Sequence, residues 1–264
     1  MASPKLNIET LMMARVPAGA EFDAPAKAAS EAGAILFRDG SSRIVVGASA
    51  SDATVLVAAE QWLTGTASQT ITKLAAEGRA VWVEVLDAKQ ATEAVEAGAI
   101  GVVACGMEGG GLVSEDASLV LLRRVLGACG AEVPVVARGG LGPDAAAAVV
   151  AAGAAGVLLD VQLWAAEDMP IAAGLRGRLE GMSPLDTWCF GSGHGFRFRT
   201  FGQLATRPVR ALKQVETTGD VDRADLMARI QSDLAQDLQT ADVGTDLIPL
   251  GQDAALDLLI TNAL

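Results

Sequence analysis

Three loops carry the residue types in this sequence that suit ligand chemistry. They are residues 106–111 (GMEGGG), 138–144 (RGGLGPD) and 159–164 (LDVQLW). Glycine lets the backbone approach a ligand closely, and backbone amides at the start of a helix attract anions such as phosphate. The first two loops are therefore candidate phosphate sites. The alternative for each is that its glycines only form a tight turn between a strand and a helix.

Few side chains are suited to transfer protons or to hold a metal ion. The single histidine, His194, lies in the glycine-rich segment GSGHGFRFR, where it is either an acid or base at a pocket mouth or an exposed loop residue. Three carboxylates near predicted strand ends permit acid–base roles, and their spacing requires no metal: Glu84, Asp87 and Glu108. The three cysteines form no CxxC pair, so we predict neither a disulfide framework nor a metal site.

The charge and the apolar pattern restrict the partners. A formal net charge of -12 disfavours general binding to nucleic acid or to anionic membranes. Apolar runs are broken well short of a membrane span, and residues 1–10 lack the features of a secretory signal. We therefore expect a soluble cytoplasmic protein. A local basic patch suits a phosphate, an acidic carrier protein or internal salt bridges; it consists of Arg197, Arg199, Arg207, Arg210 and Lys213.

A repeated pattern identifies the elements that position these loops. Three times, an alanine-rich helical pattern ends in a glycine turn and passes into an apolar strand, around Gly33, Gly98 and Gly153. Such a glycine followed by Ile, Val and Leu is typical of an αβ unit in a parallel sheet. We predict four consecutive parallel strands between residues 80 and 165. The residues expected near their carboxyl ends are Glu84, Cys105, Arg138 and Leu159.

The length and the strand–helix alternation predict an α/β protein with a TIM-barrel-like (β/α)8 fold that can be abbreviated on its N-terminal side. We expect the barrel to cover residues 1–180 and a C-terminal appendage, residues 181–264, to pack on it. The gap between residues 37 and 43 is too short for a helix, so we expect a hairpin or an irregular strand there. Other predicted elements are strands at 6–11, 34–37 and 43–47 and helices at 51–63, 223–239 and 252–263.

An E-G-G-G loop, a G-G loop and a G-A-x-G-V strand, in this order, together resemble the nitronate monooxygenase family, formerly called 2-nitropropane dioxygenase. The resemblance covers mainly residues 80–170. Members of this family are FMN-dependent TIM barrels, and related domains occur in bacterial type I polyketide and polyunsaturated fatty acid synthases. The segments LLDVQLWAAEDMP, GFRFRTFGQ and LIPLGQDAAL are similar to the form found in polyketide synthases.

The resemblance implies roles for residues of the three loops. The family's E-A-G-G-H segment falls on residues 108–112, so Leu112 replaces the catalytic histidine, and leucine accepts no proton. The glycine pair that holds the FMN phosphate falls on Gly139 and Gly140. The next phosphate contact falls on Asp160 and Val161, where a carboxylate would repel a phosphate. The implied cofactor-binding positions are Glu108, Gly110, Gly111, Gly139, Gly140, Asp160 and Val161.

Three hypotheses about function remain open. The first is an FMN-dependent oxidoreductase-like domain with impaired or altered catalysis, acting on a nitronate or on the enoyl group of a carrier-bound acyl chain, with His194 as a substitute base. The second, favoured by Leu112 and Asp160, is a non-catalytic barrel that docks or scaffolds a polyketide synthase assembly. Both imply acyl carrier protein or ketosynthase partners. The third is a phosphate-binding barrel of the thiazole synthase or indole-glycerol type, without Schiff-base chemistry because residues 80–160 lack a strand-end lysine.

Overall fold

The computed structural model describes residues 10–38, 44–47, 54–166, 168–202, 206–218, 221–252 and 254. The strands are β1 (Leu11–Val16), β2 (Ile35–Arg38), β3 (Ile44–Gly47), β4 (Thr54–Val57), β5 (Ala80–Val85), β6 (Gly101–Cys105), β7 (Gly111–Leu112), β8 (Val135–Arg138), β9 (Gly156–Leu159), β10 (Thr187–Phe190) and β11 (Phe198–Phe201). The helices are α1 (Asp23–Glu31), α2 (Glu60–Leu63), α3 (Ala67–Ala76), α4 (Ala88–Glu96), α5 (Ser118–Cys129), α6 (Pro143–Ala151), α7 (Ala173–Leu179), α8 (Arg207–Thr218) and α9 (Arg223–Asp233).

The sheet is a closed barrel in the order β1-β2-β3-β4-β5-β6-β8-β9. The pairings from β4 through β5, β6, β8, β9 and β1 to β2 are all parallel, whereas β3 pairs antiparallel with both neighbours. The predictions of a TIM-barrel-like fold and of four parallel strands between residues 80 and 165 are therefore confirmed. The short gap after residue 37 does produce a hairpin, because a parallel crossover needs about a dozen residues.

Predictions for the N-terminal segment were partly wrong. The first described strand continues to Val16 instead of ending at residue 11. It does so although it contains Arg15, because an ion pair inside the barrel satisfies this charge. The predicted helix at 51–63 contains a strand: residues 54–57 form β4, and of the described residues in this range only Glu60–Leu63 is helical. The β-branched run TVLV pairs in register with β5, and this tertiary pairing outweighs the helical pattern.

One of the two predicted C-terminal helices is shorter than expected, and the other cannot be compared with the structure. Helix α9 ends at Asp233, short of residue 239. The helix predicted at 252–263 falls almost wholly outside the described residues.

Apolar residues fill the barrel on both faces of its strands. One cluster occupies the interior and consists of Met13, Phe37, Leu56, Trp82, Val103, Cys105, Val136 and Leu158. On the outer face, residues such as Val81, Val83 and Val85 of β5 pack against the surrounding helices. The sequences of these strands are nearly continuously apolar because both faces of each strand are covered.

The C-terminal part of the chain, meaning the described residues of 181–264, covers the carboxyl ends of the barrel strands. Strand β7 belongs to the loop after β6, yet it pairs antiparallel with β11, so that Leu112 lies opposite Phe198. Further along, Ile248 forms an antiparallel bridge with Phe201. The division of the chain at residue 180 stays a prediction. Among the described residues, no helix has the length and apolar character needed to cross a bilayer.

Candidate functional site

Four charged side chains meet inside the carboxyl end of the barrel. Each lies two residues beyond an interior apolar residue of its strand, and strand side chains alternate between the two faces, so all four point inward. They are linked by ion pairs of 2.6 to 3.2 Å. We call them the mouth cluster; they are Arg15, Glu84, Arg138 and Asp160.

Arg138 is the centre of the mouth cluster. Its Nε donates to Oδ2 of Asp160 at 2.7 Å, and its Nη2 lies 2.6 Å from the same oxygen. Its Nη1 donates to Oε1 of Glu84 at 3.2 Å and to Sγ of Cys105 at 3.6 Å. Its Nη2 also donates to the carbonyl oxygen of Gly110 at 3.0 Å. A guanidinium has five N–H donors, so every donor of this buried side chain has an acceptor.

Glu84 links the mouth cluster to β1 and to the segment before α2. Its Oε1 accepts a hydrogen bond from Nη1 of Arg15 at 3.1 Å, and its Oε2 accepts one from the backbone N–H of Ala59 at 3.1 Å. Only 2% of the Glu84 side chain is exposed, against 21% for Arg15. Two cations thus compensate two carboxylates. Such pairing is required because an unpaired buried charge costs several kcal/mol.

Burial and neighbouring charges shift the pKa values around the mouth cluster. Burial acts to lower the pKa of Arg138, but the carboxylates of Asp160 and Glu84 outweigh it and hold this pKa well above its usual range. Burial, followed by the charge of Glu84, raises the pKa of the Cys105 thiol to about 12. The same two causes raise the pKa of Glu60, which is half-buried beside the cluster. Arg138 is thus a permanent cation, and Cys105 is a thiol without nucleophilic character at neutral pH.

The glycine loops contact one another and the C-terminal segment. Gly139 and Gly140 both have positive φ angles, of 98° and 69°. A Cβ on Gly139 would lie 2.7 Å from the backbone nitrogen of Gly109, and a Cβ on Gly110 would lie 2.1 Å from the carbonyl oxygen of Pro249. Close backbone packing within the protein therefore accounts for these glycines. Gly110 lines the cavity at the barrel mouth, whereas Gly139 and Gly140 do not.

The other implied cofactor-binding residues also use their polar groups within the protein. Oε2 of Glu108 accepts hydrogen bonds from the N–H and the hydroxyl of Ser118 at 2.9 and 2.7 Å, which ties its loop to the start of α5. Oδ1 of Asp160 accepts a hydrogen bond from the N–H of Val161 at 2.7 Å. The Val161 side chain is buried in an apolar cluster with Trp164. The predicted cofactor-binding positions lie in adjoining loops, where the groups described above contact other parts of the protein.

Neither residue considered for the histidine role supplies a base at the mouth. Leu112 is 2% exposed and packs in an apolar cluster with Phe190 and Phe198. His194, the only histidine of the chain, is not among the residues that line the mouth cavity. Its Nε2 lies 2.8 Å from the carbonyl oxygen of Val221, which fixes the glycine-rich segment to the start of α9. The acidic side chains that line the mouth cavity are Glu60, Glu84 and Asp160.

The residues at the mouth do not fit FMN. The cavity there has a volume of about 200 Å³, below the range of about 300–1,000 Å³ that is usual for small-molecule pockets. The paired charges of the mouth cluster occupy the barrel mouth, and an anionic phosphate near Asp160 would meet a carboxylate of like charge. In addition, backbone atoms of Gly109 and Pro249 lie against the glycines of the phosphate loops. Among the described residues, no group of three or more His, Cys, Asp or Glu side chains is placed to hold a metal ion.

Sequence reasoning missed two residues of this site. Arg15 was overlooked because its strand was predicted to end at residue 11; the alternation of Met13 and Arg15 was the signal that could have revealed it. Glu60 was assigned to a long helix, and no pattern marked it. Asp87 was predicted near a strand end as a candidate acid or base, but it caps the N-terminus of α4 by accepting a hydrogen bond from the N–H of Gln90 at 2.8 Å.

Comparison with known proteins shows the fold. No family model matches the sequence, and no curated protein matches it either. The structure is similar to that of FabK from Thermotoga maritima, with a TM-score of 0.66 and 21% identity over 94% of this chain and 72% of FabK. It is also similar to nitroalkane oxidase from Streptomyces ansochromogenes, with a TM-score of 0.54 and 22% identity. That match covers 74% of this chain and 59% of the oxidase. The chain therefore has the TIM-barrel fold that these two proteins share.

Proposed function

We propose that this chain is a TIM-barrel module that works without a flavin and docks an acidic partner protein. The mouth cluster is the observation that carries the proposal. In this fold, ligands are bound at the carboxyl ends of the barrel strands. Here the side chains of Arg138, Glu84 and Asp160 are packed into that position and are at most 8% exposed.

The energetics of the mouth cluster support a closed site. A flavin would have to separate Arg138 from Glu84 and Asp160, and breaking a buried ion pair typically costs about 3–5 kcal/mol. The cofactor would have to regain this energy through contacts with loops that already contact Gly109 and Pro249. Leu112 would still provide no base. The mouth cluster thus opposes flavin binding, and Leu112 independently opposes base catalysis.

A basic surface supports docking. Arg207, Arg210 and Lys213 follow one another at intervals of three residues on α8, and all three are exposed. The charge of the whole chain is -12, so this basic helix face is a local exception. It complements an acidic protein surface, where it would raise the association rate and set the orientation. The resemblance to polyketide synthase domains makes an acyl carrier protein the partner that we propose.

The flavin part of the proposal is tested by titration. Purified protein is mixed with FMN, and the quenching of flavin fluorescence and the absorbance of the protein fraction after desalting are measured. FabK from Thermotoga maritima, treated in the same way, tests whether the assay detects binding by a protein of the same fold. We expect no retained flavin in this protein. A yellow fraction with one FMN per chain would refute the flavin-free module.

The docking part needs a separate measurement. We expect an acidic acyl carrier protein to bind, and the double substitution Arg207→Glu and Arg210→Glu to weaken binding at least about tenfold. Lys73→Glu combined with Lys89→Glu is the matched control, because it changes the net charge by the same amount and both lysines are exposed on other helices. If the control weakens binding as much as the α8 variant does, only net charge matters and the basic face of α8 is not the docking surface.

An FMN-dependent oxidoreductase is the second candidate function. The observation that favours it is the pair of positive-φ glycines, Gly139 and Gly140, after β8 in a barrel similar to nitroalkane oxidase. This candidate requires the mouth cluster to open when the cofactor binds. Its substrate would be a nitronate or the enoyl group of a carrier-bound acyl chain. The flavin titration distinguishes it from the leading proposal.

A further inference from the structure

A second cavity lies on the side of the C-terminal part, between α2 and α9. Its volume is about 700 Å³, within the range of about 300–1,000 Å³ that is usual for small-molecule pockets. We call it the α2–α9 groove. It is separate from the docking face on α8, and residues that line it include Glu60, Leu63, Arg223, Ala224, Met227 and Ala228.

The walls of the α2–α9 groove are mainly apolar. Ala224, Met227 and Ala228 lie at positions i, i+3 and i+4 of α9, so they share one helix face. Leu63 at the end of α2 lines the same groove. The side chains of Ala224 and Ala228 are too small to fill the space between α2 and α9. The groove therefore suits an aliphatic chain.

Two charged residues at the rim, Asp222 and Arg223, form hydrogen bonds within the protein. Nη2 of Arg223 donates a hydrogen bond to the carbonyl oxygen of Leu63 at 3.2 Å, which links α9 to α2. Oδ1 of Asp222 accepts a hydrogen bond from the N–H of Asp225 at 2.9 Å and caps α9. These contacts stabilise the rim as part of the fold.

Glu60 connects the α2–α9 groove to the barrel mouth, because it lines both cavities. The charged groups that act on it are Glu84 from β5, Arg15 from β1 and Arg138 from β8. Burial and Glu84 raise its pKa, because together they outweigh the two arginines and a hydrogen bond to the backbone of Glu60 itself. Folding therefore favours the protonated carboxyl, which offers an O–H donor.

We propose that the α2–α9 groove binds a neutral aliphatic compound with a carbonyl or hydroxyl oxygen, and that the carboxyl of Glu60 holds this oxygen by a hydrogen bond. An aliphatic carboxylate is disfavoured, since its charge would meet Asp222 at the rim and Glu84 beside Glu60. This binding site does not depend on the docking role of α8.

The probe is the octanoyl thioester of N-acetylcysteamine, with octanoate as its anionic counterpart. Binding is measured by isothermal titration calorimetry with the full chain. We expect the thioester to bind and octanoate to bind at least about tenfold more weakly. Equal affinity for the two probes, or no binding of the thioester up to its solubility limit, would overturn the proposal.

Variants locate the site. Ala228→Trp fills the groove and should weaken thioester binding at least about tenfold, whereas Ser232→Trp, an exposed position of α9 that does not line the groove, should not. If both variants behave alike, the probe binds elsewhere. A dimer of the wild-type chain that only Ala228→Trp disrupts would show that a second copy covers the groove, and would also overturn the proposal.

The role of Glu60 has its own readout. Thioester binding should weaken as the pH rises through the raised pKa of Glu60, because the ionised carboxylate is no longer a donor. Glu60→Gln keeps an N–H donor at every pH and should remove this pH dependence while binding is retained. A wild-type affinity that is independent of pH would contradict the proposed hydrogen bond.

Discussion

Arg138 shows how one residue decides what the barrel mouth can hold. Its side chain bonds to Glu84, Asp160, Cys105 and Gly110 at once. Its position at the end of a strand was predictable from the apolar run before it. Its partners were not, because they come from other strands whose registers only the closed barrel defines.

Removing the cation of Arg138 should destabilise the protein strongly. Arg138→Met keeps much of the apolar stem but leaves the buried carboxylates of Glu84 and Asp160 without their shared partner. The expected loss in the free energy of unfolding is about 3–5 kcal/mol. Urea denaturation followed by circular dichroism measures it.

The matched control removes Arg138 together with one of its carboxylate partners. Arg138→Met combined with Asp160→Asn removes one charge of each sign and leaves Glu84 paired with Arg15, so part of the lost stability should return. A single variant that costs less than about 1 kcal/mol would mean that water reaches the carboxylates and that the mouth cluster is open.

Glu60 should make stability depend on pH. The folded protein holds its proton more tightly than the unfolded chain does, because burial and Glu84 raise its pKa above the ordinary 4.5. Its contribution to stability is therefore full below that value and is lost as the pH rises through the folded pKa. Glu60→Gln should flatten this fall and be more stable than the wild type near neutral pH. Urea titrations at roughly pH 4 to 8 compare the two slopes; identical slopes would contradict burial of a titrating Glu60.

Among the elements, the parallel strands were predictable and the hairpin strands were only partly so. Strands β5, β6, β8 and β9 follow from apolar runs bounded by glycine, because strands covered on both faces need little polar sequence. Strand β4 was hidden in a helical pattern. Its assignment depends on pairing with β5, a contact that local sequence does not encode.

The turn after β8 offers a test of loop packing. Gly139→Ala would combine a positive φ with a Cβ 2.7 Å from a backbone nitrogen, so the loops 106–111 and 138–144 would have to separate. Gly111 also has positive φ, at 75°, but a Cβ there meets nothing within 4 Å. Gly111→Ala should cost only the conformational strain, about 1–2 kcal/mol.

Gly139→Ala should therefore lower the free energy of unfolding by about 1–3 kcal/mol more than Gly111→Ala does. Urea denaturation of both variants measures the difference. Equal losses in the free energy of unfolding would indicate that the loops 106–111 and 138–144 can move apart. Such movement would make room for a phosphate between them.

At the scale of the molecule, the C-terminal part completes the barrel mouth. The carbonyl oxygen of Pro249 lies against Gly110, and the N–H of Gln252 donates a hydrogen bond to the carbonyl oxygen of Glu108 at 2.7 Å. Sequence alone predicted that residues 181–264 would pack on the barrel. It did not predict that they would contact the loops 106–111 and 159–164, since these contacts join segments that lie far apart in the sequence.

The two parts should consequently unfold as one unit. A chain of residues 1–180 loses β11, which pairs with β7, and exposes Leu112 and Val161, which are buried in the full chain. Water would then reach the mouth cluster and weaken its ion pairs. For the full chain we expect coincident urea transitions by tryptophan fluorescence and circular dichroism, as two-state unfolding requires. The 1–180 chain should show a broad transition or none. If it instead unfolds sharply at a urea concentration near that of the full chain, the barrel folds independently and the C-terminal part does not hold the mouth closed.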